Sequence, residues 1–82
     1  MFSNRYNGRN NIVGLAIKKK RMGLRISQRE LADRLGHIGM DVDKNAVQRM
    51  EDGKRFITDI ELTFLSKVFD VSIEELYAAA KD

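Results

Sequence analysis

Three times along this chain a hydroxyl residue stands three positions before a glutamate at the head of an apolar, helix-periodic run: SQRE at Ser27–Glu30, TDIE at Thr58–Glu61 and SIEE at Ser72–Glu75. In such a pair the hydroxyl accepts a hydrogen bond from the amide of the glutamate, whose carboxylate reaches back to accept from the amide of the hydroxyl residue. This is a capping box, a device specific to helix N-termini. It predicts helices beginning at residues 28, 59 and 73. No segment alternates apolar and polar residues with period two, so no strand is expected and the fold class is all-α.

Two more helices complete the pattern. Asn11 is a good N-cap for a helix through IVGLAIKKKRM. There Val13, Ala16 and Ile17 share an inward face, Met22 is a further candidate, and Lys18–Lys20 form a solvated face. Gly23 falls near its end. Asp43 is placed to cap a helix over Lys44–Met50 with Val47 and Met50 inward, and Gly53 suits a left-handed residue after its last turn. The fourth helix presents Ile60, Leu62, Leu65, Val68 and Phe69, and the fifth Ile73, Leu76 and Tyr77. Phe64, Phe69 and Tyr77 are expected mostly in the core. Residues 1–11, rich in Asn and Arg with Phe2 and Tyr6, show no periodicity and read as a flexible arm preceding a domain over 12–82. Arg5 and Arg9 make it a basic arm of the kind that can enter a minor groove or stay unordered.

The connection between the second and third helices is the difficult stretch. GHIGMDV puts seven residues between Leu35 and Asp43, where a tight turn between two helices needs about three or four. Leu31, Leu35 and Ile38 fall at i, i+4 and i+7, one helical face. The second helix is therefore expected to run past Gly36, at a cost of about 1 kcal/mol relative to alanine. It should end at Ile38, with Gly39 at positive φ and GMDV as the true connection.

Composition narrows the function. A chain of 82 residues forms one small domain that buries only about 60% of its unfolded surface. It has no cysteine and one histidine, His37, and so no thiolate or His-rich metal site. There is no nucleophile–base pair, no phosphate-cradling loop and little room for a pocket. We expect no catalytic residue, metal, cofactor or small-molecule ligand. No apolar run nears the ~18 residues of a membrane span, and the N-terminus lacks a signal-peptide core, so a cytoplasmic protein is expected. The net charge of +3 conceals an asymmetry: residues 1–55 carry 13 Lys/Arg against 6 Asp/Glu, and residues 56–82 carry 2 against 6. A polyanion on one side would suit that distribution.

The ordered pieces SQRELADRLG, DKNAVQRMEDGKR, and TDIELTFLSKVFDVSIEELY resemble the Cro/lambda-repressor-type helix-turn-helix domains (the XRE family) of bacterial and phage transcription regulators, over about Ile12 to Tyr77. The lengthened connection is its departure from compact phage repressors. The resemblance implies a compact five-helix domain whose third helix lies in the major groove of double-stranded DNA. Lys44, Asn45, Gln48 and Arg49 correspond to base-contacting positions. Lys and Arg suit guanine O6/N7, Asn and Gln suit adenine N6/N7, and Ala46 could meet a thymine methyl. Gln28, Lys54 and Arg55 correspond to phosphate contacts, which fix register rather than sequence. Arg21 and Glu51 match a structural ion pair that orients the third helix. Ile73, Glu75 and Tyr77 lie where the family forms its dimer surface. The expected protein is a homodimeric regulator, a repressor by preference, on a two-fold operator.

A second class of function fits the same frame, a helix-turn-helix protein-interaction module such as an antitoxin or an anti-repressor partner, using the acidic C-terminal half and Tyr77–Ala80. Salt distinguishes the two. Affinity for duplex DNA falls steeply with salt when phosphates are neutralised, whereas an interaction module has little salt-dependent affinity for any duplex.

Overall fold

The computed structural model describes residues 6–81. Among them are five helices: α1 (Gly14–Gly23), α2 (Gln28–His37), α3 (Lys44–Glu51), α4 (Asp59–Phe69) and α5 (Ile73–Lys81). There is no strand among the described residues, only an isolated bridge between Tyr6 and Arg9. α1 packs on both α5 and α3, α2 on α3 and α4, and α4 on α5. The centre of the core is formed by Ile17, Leu31, Leu35, Val47, Met50, Leu65 and Leu76, all fully buried.

The starts of α2 to α5 follow the local signals, and Asp43 Oδ1 accepts from the Ala46 amide at 2.8 Å. α1 is the exception: it begins at Gly14 with Val13 as N-cap and no side-chain cap, and Asn11, expected as its N-cap, lies before that start, its Oδ1 accepting from the Gly14 amide at 2.8 Å. The capping box at Thr58–Glu61 is complete. At Ser27 and Ser72 only the hydroxyl half forms, because Glu30 turns to Arg34 one turn on, at 2.8 Å, and the Glu75 carboxylate accepts from the Ser72 hydroxyl rather than its amide.

The helix ends share one geometry, which the sequence signals only at Gly39 and Gly53. After each of α1 to α4 stands one residue at positive φ: Arg25 (+59°), Gly39 (+112°), Gly53 (+79°) and Asp70 (+54°). Each donates to the carbonyl three residues back, and the next residue donates five back: Ile26 to Arg21, Met40 to Leu35, Lys54 to Arg49, Val71 to Ser66. These are four Schellman endings. Ile26 and Met40 are buried in the core, so the ending carries an apolar residue back under its own helix. Lys54 is the exception and stays exposed.

The second connection largely follows expectation. α2 runs through Gly36 to His37, which is exposed, and the four residues GMDV separate C-cap Ile38 from N-cap Asp43. Ile38, however, is not helical (φ −101°, ψ 3°). It is 41% exposed. The Schellman ending swings Met40 into the place assigned to Ile38. Met22 and Ile60 were also expected inward and are instead exposed: Met22, five positions after the buried Ile17, is turned about 140° round the helix from it, and Ile60 lies in the first turn of α4.

Residues 9–11, within the expected arm, are bonded to the rest of the fold, and Tyr6 pairs with Arg9. The Asn10 amide donates to Gly53 O at 2.7 Å, and Asn11 Nδ2 donates to Met50 O and Arg55 O. Phe2 and Arg5 lie outside the described residues.

Candidate nucleic-acid interface

α3 has two faces with little between them. Val47 and Met50 are completely buried, and Ala46 and Glu51 nearly so. Lys44, Asn45, Gln48 and Arg49, spaced i, i+1, i+4 and i+5, are all exposed on the other side. Burial of Ala46 corrects one expectation: its methyl packs inward and is not offered to a thymine. The anchored face prevents α3 from rotating about its own axis, so two side chains that only donate, Lys44 and Arg49, and two amides that donate and accept, Asn45 and Gln48, are held outward together.

Behind α3, Arg21 of α1 grips Glu51 through Nε–Oε2 at 2.7 Å and Nη2–Oε1 at 3.1 Å. The Glu51 side chain is only 2% exposed. Arg21 Nη1 donates to Ile26 O at 2.9 Å, pinning the α1 ending as well. The hydrogen bond to Glu51 raises the Arg21 pKa above its ordinary value; burial opposes this, and the charge of Glu51 adds to the rise. Gln28 Nε2 donates to the same Oε1 at 3.1 Å, so α1, α2 and α3 meet at one carboxylate. The Gln28 side chain is thereby committed to Glu51. At the start of α2 the Glu30 amide is taken by Ser27 Oγ, which leaves the amides of Gln28 and Arg29 without an intrahelical acceptor.

The other expected phosphate contacts divide. Lys54 is exposed beyond the end of α3. Arg55 is half-buried, with Nη1 on Glu61 Oε2 at 2.9 Å, and so ties the α3–α4 corner to the α4 capping box. One residue escapes the sequence reading, and another, Arg9, has a place other than the basic arm expected of it. Arg29, exposed on the first turn of α2, lines one shallow depression with Arg21, Ser27, Gln28 and Lys44; its place beside Gln28 was the available signal. Arg9 lies against the end of α3, and no local pattern marks it. Its guanidinium is engaged there, not extended as a free arm.

In α5, Ile73 is half-buried, and Glu75 and Tyr77 are exposed. Tyr77, expected in the core, instead lines a groove of about 220 Å³ with Tyr6, Ile57 and Leu62. Among the described residues no three His, Cys, Asp or Glu side chains are grouped to hold a metal, and no helix is long and apolar enough to cross a membrane.

A helix packed on a second, across a short turn, with the second exposing a polar face, defines a helix-turn-helix. Residues 17–76 match the family model described as Helix-turn-helix. The chain belongs to that family, in its Cro/lambda-repressor type, and is a DNA-binding helix-turn-helix regulator in the general sense. No curated protein and no solved structure matches it significantly.

Proposed function

We propose that the protein is a transcriptional repressor that occupies a two-fold operator as a homodimer and reads it with α3. The observation that carries this is the division of α3 into a fully anchored face and an exposed face bearing Lys44, Asn45, Gln48 and Arg49. Lys44 and Arg49 are assigned to guanine edges, and Asn45 and Gln48 to adenine edges, each good pair discriminating by about 1–3 kcal/mol. Lys54 neutralises backbone phosphate, Arg55 contributes from its ion pair with Glu61, and Gln28 acts through the amides at the start of α2. One such helix reads few base pairs, so useful specificity needs two, and the surface around Ile73, Glu75 and Tyr77 is assigned to the partner copy. Function as a cytoplasmic protein follows from that role.

Selection of bound duplexes from a random pool tests the proposal. It should return an inverted repeat with half-sites about one helical turn apart, bound with an affinity that falls steeply with salt. Recovery of no enriched sequence, or of affinity indifferent to salt, would place the protein among interaction modules. Sedimentation that shows a monomer both free and on DNA removes the dimer.

A further inference from the structure

Residues 9–11 lie N-terminal to the segment that matches the family, yet they close the end of α3. Arg9 Nη2 donates to Glu51 O at 2.7 Å and to Met50 O at 3.4 Å, and its Nε donates to Asn11 O at 3.1 Å. The Asn10 amide donates to Gly53 O at 2.7 Å and its Nδ2 to Lys54 O at 3.0 Å. Asn11 Nδ2 donates to Met50 O at 3.0 Å and Arg55 O at 2.7 Å. Three consecutive residues thus satisfy the carbonyls of Met50, Glu51, Gly53, Lys54 and Arg55. The last carbonyls of a helix have no intrahelical donor, and a cation there also complements the helix dipole. The fit is close: a Cβ on Gly53 would come within 2.7 Å of Arg9 Cζ.

The structure assigns Arg9, with Asn10 and Asn11, as a latch that positions the last turn of α3 and the Lys54–Arg55 corner for DNA. Arg9 is a positioning residue, since its guanidinium is spent on main-chain carbonyls. The inference rests on α3 being the reading helix. It makes DNA affinity depend on a segment outside the helix-turn-helix itself.

Arg9→Ala, Arg9→Lys and Asn10→Ala in the full chain test it, each checked for folding by circular dichroism and titrated with the selected duplex at several salt concentrations. Arg9→Ala removes all three guanidinium bonds to main-chain carbonyls at once and, through the loosened end of α3, should weaken binding about tenfold, with the salt slope unchanged. Arg9→Lys, which keeps the cation but cannot bridge Asn11 O and Glu51 O together, should recover part of the loss. Amide exchange in the free protein should quicken at Gly53, Lys54 and Arg55, whose amides close the α3 ending. Asn10→Ala removes one exposed bond and should show a smaller loss of the same kind, which keeps the test decisive should Arg9→Ala fail to fold. Unchanged binding overturns the latch. A salt slope reduced by about one unit also overturns it, because that marks a direct phosphate contact. A wild-type chain that binds no duplex instead overturns the reading of α3, whatever the exchange rates show.

Discussion

Arg21 and Glu51 meet in a two-point ion pair, at 2.7 and 3.1 Å, between the first helix and the last residue of the third. The carboxylate is almost wholly out of water and accepts a third bond from Gln28. Removing one partner of a buried pair strands the other charge, at about 3–5 kcal/mol. Arg21→Ala should lie at the lower end, about 3 kcal/mol, since the guanidinium retains some contact with solvent. Thermal unfolding should drop by more than 10 °C, on a scale of about 4–8 °C per kcal/mol for domains of this size. A change of only a degree or two would mean that the pair is not structural. The raised Arg21 pKa adds stability that is present at every pH below its ordinary value. That stability is lost only as pH rises through the still higher folded value, so the arginine contributes no pH dependence near neutrality.

Gly53 is required twice, by its φ of +79° and by the Arg9 side chain lying where a Cβ would go. Gly53→Ala should cost about 1–2 kcal/mol from the left-handed backbone alone, and more from displacing Arg9. In the background of Arg9→Ala the second part disappears, so the two substitutions should be non-additive in denaturant unfolding. Simple additivity would show that the contact carries no energy.

Gly36 sits inside α2 with open space where a Cβ would be built. Gly36→Ala should therefore stabilise by about 1 kcal/mol, raising the unfolding midpoint by about 4–8 °C. Arg25→Gly should also stabilise, by about 0.5–1 kcal/mol, because the strain of a left-handed arginine exceeds the added entropy cost of glycine. Either variant melting below the parent would contradict the helix geometry given above.

On DNA the exposed residues of α3 should separate by role. Asn45→Ala and Arg49→Ala should relax sequence preference at single positions, by about 1–3 kcal/mol each. Lys54→Ala should weaken binding evenly across sequences and lower the salt slope by about one unit. Binding measured against a panel of singly substituted operators distinguishes the two patterns; three identical profiles would refute the division.

Much of the fold is legible in the sequence because its signals are local. A side-chain oxygen caps an amide three residues on, and an i, i+4 apolar face needs only a helix to exist. Asp43, Thr58 and Gly53 act within a few residues of themselves, and so do Leu31 and Leu35. Where local signals compete, legibility fails: Glu30 could serve its own helix start or Arg34, and it takes the arginine. Ile38, Met22 and Ile60 are as apolar as residues that are buried, and only the placement of neighbouring helices decides which are covered.

By itself the sequence determined five helices, the starts of α2 to α5, the passage of α2 through Gly36 and the exposed polar face of α3. These depend on hydrogen bonds and spacings that close within one or two turns. Tertiary structure alone decided that Gln28 is bound to Glu51, that Arg55 is bound to Glu61, and that residues 9–11 hold the end of α3 from some forty positions away. An arginine or asparagine in a patternless segment carries no signal for partners some forty positions away. Its partners are main-chain carbonyls, present at every residue, and only the path of the folded chain selects which of them it meets.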